Sequence, residues 1–494
     1  MDGDRRTWSA CLLGGAVFAV CMAGTTLPTP LYPLYQEKFG FSELTVTVVY
    51  AVYAFGVIGV LLLAGNVSDG VGRRPVLLWG LGFAAAGAVC FLVAGGLGPL
   101  YAGRLLSGLS AGLFTGAATA YVMESAPPGG ASRATFVATA ANMGGLGCGP
   151  LLAGVLAQYA AWPLYLPYAV HLALVACSAA VLLRLPETVR ERRPLRAVRP
   201  QRPGVPPPVR AVFGPAATAA FVGFALFGVF TSVSPSFLAH SLGVTDHAVS
   251  GLVVALAFFS STAGQLAVGR VGAARSLPLG CAALLAGLAL LAAALHWDLL
   301  PLVVLSAIVG GIGQGLSFRG ALTAVAGATP ADRRAAVIST LFVVAYAGIS
   351  VPVVGVGLLS GPMGLEGAGL VFIACMTVLV VTAAGYLLRR PVEAGATGRG
   401  RRAGRLSRGR ACAGVAAAYR VPPRRARPPG RASPGTREPP GRASPRDARA
   451  PGRASPRDAR SPRRHRPARA SRTYGPSGVS RCSPRPPARP PASR

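Results

Sequence analysis

The residues able to do chemistry are few, and most lie inside long apolar stretches. His171 sits midway along one of them. An imidazole with an ordinary pKa of about 6.5 suits a proton carrier, and equally a hydrogen-bonded packing residue. Arg319 lies in another stretch, five residues after Gln314. A charge at such a depth is costly and usually faces a bundle interior. Arg319 falls about 6 Å off the middle of its stretch, within reach of a snorkelling stem. Gln314 and Arg319 are about 140° apart around a helix and do not share a face. Arg104, placed about one turn from the end of its stretch, can also snorkel. Asn142, Gln265 and Tyr346 complete the polar set. Asp69 lies just past one stretch, beside Arg73 and Arg74. It can accept hydrogen bonds from the start of the next helix and pair with a guanidinium. No Asp or Glu falls near the middle of any stretch, so the buried charge favours an anionic or neutral ligand over a cationic one.

The elements that position these groups are membrane spans. Over half of the 494 residues are hydrophobic and 13% are charged, too little polar surface for a soluble chain of this size. Twelve apolar runs, each long enough to cross a hydrocarbon core of roughly 30 Å, follow in order. They cover about 8–28, 44–64, 76–96, 100–124, 134–158, 163–185, 211–238, 247–269, 276–296, 300–326, 333–358 and 365–388. The first run follows Arg5 and Arg6 but continues into Pro28, Pro30 and Pro33 without a small-residue cleavage site, so it is expected to be retained. Basic residues alternate between connections: Arg73 and Arg74, Arg133, Arg190 to Arg210, Arg270 and Arg275, Arg333 and Arg334 fall in every second one. The other connections hold Lys38 and almost nothing else basic. This predicts an even number of spans with both termini cytoplasmic, and a plasma-membrane location. The nine cysteines lie mostly inside spans without paired spacing and read as small packing residues, not as a disulfide or zinc framework. Without a metal-ligand cluster, nucleophile elbow or phosphate loop, an enzyme is not expected.

A Pro- and Arg-rich connection at 186–210 divides the spans six and six. Domains are expected at 8–185 and 211–388, with a tail at 389–494. The halves echo each other: Gly149-Pro150 has a counterpart in Val351-Pro352, and Gly264–Arg275 repeats Gly65–Pro75 with Gly272 and Arg275 but no acid. The tail carries 29 Arg against four acids and repeats Pro-Gly-Arg-Ala-Ser-Pro from Pro429, Pro440 and Pro451. It cannot bury a core. It suits a disordered extension near anionic headgroups. It also suits out-of-frame reading of a GC-rich gene, given one lysine against 48 arginines. Nucleic-acid binding would want an aromatic platform, and only Tyr419 and Tyr474 interleave the arginines.

The run Gly65-Asn66-Val67-Ser68-Asp69-Gly70-Val71-Gly72-Arg73-Arg74-Pro75 resembles the loop between helices two and three of major facilitator superfamily transporters. Gly65, Asp69, Gly72, Arg73 and Arg74 fall on that pattern. Arg104 with Ser107, Gly108, Ala111 and Gly112 resembles a helix-four motif, with Ser107 where Gln is usual. Gly145, Gly149, Pro150 and Gly154 resemble the helix-five motif of twelve-helix drug:proton antiporters, with Ala153 replacing a glycine. Pro186-Glu187-Thr188 resembles the Pro-Glu-Thr that often ends helix six in this superfamily, and Pro28-Thr29-Pro30 resembles, more loosely, a pattern of twelve-helix drug exporters. The resemblance implies an all-α membrane protein of two pseudo-symmetric six-helix halves, with a site near the midplane between them. It implies a latch in which Asp69, Arg73 or Arg74 and an acid at the inner end of helix four, here Glu124, hold the outward-facing state. It places Arg104 in proton transfer. The implied activity is proton-coupled efflux of a drug or secondary metabolite by a monomer in the bilayer, with no cofactor beyond the proton gradient. Many such exporters carry an acid inside helix one, and this chain does not, which keeps open proton-coupled uptake of a metabolite or organic anion. A membrane receptor or sensor would need a folded cytoplasmic domain, which the tail composition argues against.

Overall fold

A computed structural model describes residues 2–65, 67–189 and 203–389. The arginines from 190 to 202 and the tail from residue 390 lie outside them, as does Asn66 within the 65–75 loop. Among the described residues the chain is helix and short connections, with no strand. Ten long helices come first: α1 Asp2–Thr26, α2 Glu43–Ala64, α3 Arg73–Leu92, α4 Leu97–Glu124, α5 Ala131–Tyr159, α6 Leu166–Arg184, α7 Arg210–Ser232, α8 His247–Val271, α9 Ala273–Trp297 and α10 Leu300–Ala328. The last helical stretch, Arg334–Arg389, has 56 residues. At 1.5 Å per residue that would be about 84 Å, nearly three hydrocarbon cores. It is two helices broken at Gly364, whose φ of 71° leaves the helical region. They are α11 (334–363) and α12 (365–389), giving the expected twelve spans.

Local chemistry sets the other breaks. Pro28 and Pro30 cannot donate to the carbonyls of Gly24 and Thr26, so α1 stops at Thr26. A 3₁₀ turn, Thr29–Leu31, leads into a helical extension, Tyr32–Phe39, that ends on Gly40 at φ 66°. Gly72 at φ 119° caps α3, and Gly272 at φ 87° caps α9. Both positions need a backbone that L side chains rarely adopt, which explains why the second, acid-less copy of the 65–75 loop keeps this glycine. Asp246 caps α8, accepting from Ala248 N at 2.7 Å and Val249 N at 3.1 Å.

The outside of the bundle is apolar. Leu63, Val351 and Val378 are about two-thirds exposed. Gln314, Arg104 and His171, by contrast, are buried. That inversion is what a hydrocarbon solvent selects. Within the first six helices α4 packs on α1, α2 and α3; within the last six, α10 packs on α7, α8 and α9. The two sets meet along α2 with α11 and along α5 with α8, two seams related by the same exchange of halves.

Candidate functional site

On the face of the bundle that carries the 65–75 loop, one arginine gathers the acids. The Arg73 guanidinium donates from Nη1 to Asp69 Oδ1 at 2.5 Å and to Ser68 Oγ at 2.7 Å. It donates to Glu124 through Nη2 at 2.9 Å and Nε at 3.3 Å, a two-point pair. The fork holds the start of α3 against the end of α4. The Arg74 side chain meets neither acid: its Nη2 donates to the Leu183 carbonyl at 2.7 Å, at the end of α6. The expected cluster is therefore Asp69–Arg73–Glu124, without Arg74. The reason is geometric, because Arg74, one residue on, points about 100° away around α3. All partners named here belong to the first six helices and the chain just after them. The residues of the expected latch thus form, in this structure, a brace within one half. Gly65 ends α2.

Arg104 does not snorkel. It lies two turns into α4 and is 2% exposed. Its Nη1 donates to the Thr25 carbonyl at 2.5 Å and Nη2 to the Tyr50 carbonyl at 3.4 Å. The guanidinium carbon lies 4.8 Å from the Tyr53 ring centroid and 5.2 Å from that of Tyr50. Thr25 belongs to the last turn of α1, where carbonyls run out of helical donors and a cation is favoured. The residue thus ties α4 to the end of α1 and to α2, and Tyr53 separates it from Tyr346 across the seam, 6.3 Å ring to ring.

His171 is 2% exposed, and neither ring nitrogen has a hydrogen-bond partner. Its ring lies against Gly24 so closely that a Cβ there would overlap it. It lines a small cavity with Thr25, Ser107, Ser110 and Tyr168, with about 10 Å³ open to a water's centre, room for about one water.

The glycine run of α5 makes both of that helix's close contacts. A Cβ at Gly145 would come within 2.6 Å of the Ala19 carbonyl oxygen, and one at Gly149 within 2.6 Å of Thr26 Oγ1, both on α1. On the other side Gly147 faces Phe259, Gly154 faces the His247 carbonyl, and Gly251 of α8 faces the Pro150 carbonyl. These contacts, with Gln158 Oε1 accepting from His247 N at 3.0 Å and Gln36 Oε1 from Ser236 Oγ at 3.2 Å, close the seam on the face opposite the 65–75 loop. Just before the run, 140–144 form a π-helical turn that carries the half-buried Asn142 at the junction of α1, α5 and α8.

In the second half Gln314 and Gln265 join through one hydroxyl. Ser261 Oγ donates to Gln314 Oε1 at 2.5 Å and accepts from Gln265 Nε2 at 3.3 Å. Arg319 points elsewhere, as its spacing from Gln314 requires, with Nη1 3.4 Å from Thr139 Oγ1 on α5. Tyr346 packs edge-on to Phe224 at 5.7 Å, and Phe224 lies 5.1 Å from Phe318. The expected polar residues thus do not converge on one point. Arg104 and His171 belong to the first half, Gln265 and Gln314 to the second, and Tyr346 and Arg319 reach the seam.

The family model of the Major Facilitator Superfamily matches residues 13–351. The chain belongs to that superfamily. Among curated relatives, the puromycin resistance protein pur8 of Streptomyces alboniger is 33% identical over 206 residues, 40% of this chain and 39% of that protein. An uncharacterized MFS-type transporter of Bacillus subtilis (strain 168), YceJ, is 29% identical over 238 residues, 47% and 58%. The putative multidrug resistance protein MdtD of Salmonella typhi is 26% identical over 191 residues, 38% and 40%. The chain spans about half of the length of the curated relatives it matches. Of solved structures, a bacterial homologue of the human lysosomal transporter Spinster superposes with a TM-score of 0.60 at 15% identity, covering 78% of this chain and 98% of that one. A POT family transporter superposes at 0.61 and 12%, covering 77% and 96%. Both likenesses carry the fold alone.

The chain is thus a multi-span membrane member of the Major Facilitator Superfamily. In this member the sequence reading missed what Glu187 does. Its carboxylate accepts from the backbone N–H of Arg73 at 2.9 Å and of Arg74 at 3.2 Å, capping α3 from the end of α6. Thr188 Oγ1 donates to Glu124 at 2.6 Å, and Tyr121 OH to the Pro186 carbonyl at 3.1 Å. The Pro186-Glu187-Thr188 triplet is therefore the third side of the brace. The signal was present, because an acid beside a bare helix N-terminus is a cap waiting for its helix.

Proposed function

We propose that the protein is a proton-coupled exporter of a small organic compound, a drug or secondary metabolite, working by alternating access. The observation that carries this reading is the α5 glycine run. It lies backbone-close to α1 on one side and to α8 on the other, so a shift of α1 cannot leave the seam between halves unchanged. Aromatic rings of Tyr53, Tyr346, Phe224 and Phe318 crowd the middle of the bundle, a lining suited to a planar organic ligand. The names of the puromycin and multidrug resistance relatives point the same way. On this reading the 65–75 face is cytoplasmic, the site lies in a plasma membrane, and the protein acts as a monomer. The Asp69–Arg73–Glu124 brace keeps the first half rigid while the seams open and close.

A second reading is proton-coupled uptake of an anionic or neutral metabolite. It is supported by the absence of any acid in residues 8–28 and by the buried guanidinium of Arg104. Both readings meet one experiment: puromycin flux in proteoliposomes holding the full chain, under a pH gradient of either sign. Export coupled to protons predicts that reversing the gradient reverses net flux, with drug and protons moving oppositely. Co-directional movement selects the uptake reading, and flux that ignores the gradient sinks both.

A further inference from the structure

Two related cavities lie one in each half, and only one of them can hold a proton. The first, described above, lies among α1, α3, α4 and α6. The second lies among α7, α9, α10 and α12, with Val356 of α11, at the positions that exchanging the halves would give. On α6 the lining residues are Tyr168 and His171; on α12 they are Leu365, Gly369 and Phe372, the last two with the same spacing as the α6 pair. The second cavity is the larger, about 30 Å³ by the same measure, but Phe230, Leu291, Val303 and Phe372 make most of its wall apolar, and its one polar side chain, Ser234, is a hydroxyl and not a base. The first has hydroxyls from Ser107 and Ser110, whose lone pairs still accept. The residue under the imidazole, Gly24, also keeps its carbonyl free of its helical donor, because Pro28 has no N–H.

We infer that the cavity beneath Gly24 is the transporter's proton-binding site, with His171 as acceptor, and that α1 carries its protonation state to the seam. This deepens the proposed function and rests on it. The groups facing the imidazole are few. From α1 comes Cys21, whose Sγ lies 3.1 Å from Ser110 Oγ. From α4 come Ser107 and Ser110; Arg104, about one turn earlier, is turned onto the Thr25 carbonyl and is not among the residues lining the cavity. From α6 itself comes Tyr168, stacked on Phe91 of α3 at 4.8 Å, with Tyr35 beyond that ring. The other α3 residues on the cavity, Ala84, Gly87 and Ala88, are apolar. No carboxylate faces it among the described residues. A charged imidazole there, with no carboxylate beside it and one water's room, is poorly solvated. Protonation therefore favours a conformation in which α1 draws away from α6. The path onward is short. Ala23, next to Gly24, puts its carbonyl against Gly149, and Pro150, next to Gly149, puts its carbonyl against Gly251 on α8. Two backbone contacts thus separate the proton from the seam.

The test needs no substrate. The full chain is purified in lipid nanodiscs with His240, His247, His296 and His465 replaced, leaving His171 as the lone histidine, and its imidazole NMR signals are followed from pH 8 to 5. The expected result is titration within that window; an imidazole that stays neutral throughout overturns the inference. In parallel, spin labels at Lys38→Cys and His240→Cys report the seam. In the otherwise native protein the ratio of open to closed distances should move about tenfold over the same window, and less than about twofold in His171→Gln. A shift that persists in His171→Gln overturns the assignment even when that variant's NMR spectrum shows it folded. Puromycin flux separates this from the broader reading. A gradient response that His171→Gln keeps leaves the exporter reading standing and ends this one. Flux that ignores the gradient while His171 titrates does the opposite.

Discussion

Replacing Gly251 by valine should unlock the seam opposite the 65–75 loop. A Cβ at this position meets the Pro150 carbonyl, and Gly154 stands within van der Waals reach of it at 3.3 Å. The obstacle is backbone on both sides, so no side chain can swing away to relieve it. Inserting carbon into a well-packed contact costs typically 1–3 kcal/mol. The penalty falls only on the conformation in which α5 and α8 touch; once they part, valine faces open space or substrate. It therefore acts on the equilibrium between the two states more than on folding. A bias of 1–3 kcal/mol is about a 5- to 150-fold change in their ratio. Lys38 and His240 are exposed on the extensions of α1 and α7 that meet on this face, and spin labels there report the distance across it. Gly251→Val should transfer the main population from the short to the long distance, with the spectrum of a folded protein and an unchanged family of helix signals by circular dichroism. Gly154→Val, which meets the His247 carbonyl on the same seam, should do the same. If both variants fold and both keep the short distance, the seam is not what holds this state together, and the reasoning from glycine contacts fails.

Other outcomes follow from the brace and the buried arginine. Glu187→Gln keeps the shape of the α3 cap but removes its charge, and should lower stability by about 1 kcal/mol, discounted for its half-exposed position and read as a lower unfolding midpoint in detergent. Asp69→Asn should leave the midpoint within a degree or so of the parent's, because its side chain is 64% exposed, yet cut gradient-driven flux in proteoliposomes about tenfold; normal flux would remove Asp69 from the proposed transport cycle. Arg104→Lys should lose both flux and stability, roughly 1–2 kcal/mol, since an ammonium cannot lie flat between Tyr50 and Tyr53 while bonding two carbonyls. Deleting 395–494 should leave flux intact, the family match ending at residue 351; a well-expressed truncation without flux would show that the tail takes part.

The spans were legible because lipid imposes one rule on length and polarity, and no tertiary contact can override it. The glycines at 72 and 272 were legible for a related reason: a positive φ is a local demand that one residue type meets. What the sequence hid was direction. Hydropathy gives the depth of Arg104 in its span but not which way it faces, so a snorkelling stem and a guanidinium turned onto the Thr25 carbonyl looked alike. Arg73 and Arg74 are neighbours in the chain and about 100° apart on the helix, so only the fold could choose which one meets Glu124. The π-helical turn at 140–144 has no signature in residue type, because it answers to how α5 packs between α1 and α8.

The two halves share a backbone plan and divide the chemistry between them. Gly72 and Gly272 make the same turn, and Gly87 and Gly287 both admit the backbone of the following helix, so selection for close packing has kept the halves alike. Charge and polarity have diverged instead. The first half has the ionic brace, the buried arginine and the partnerless imidazole. The second has lost the acid of the loop, carries Phe372 where the imidazole would be, and holds, besides Arg319 at the seam, the neutral Gln265–Ser261–Gln314 chain. A rocking mechanism needs the halves to match only in shape, since the seams α2–α11 and α5–α8 must exchange roles as they open and close. It does not need both to titrate. If the first half alone senses protons, the second is free to vary its side chains with the ligand, and changes of specificity should concentrate around Gln314 and Tyr346, with Arg104 and His171 left in place.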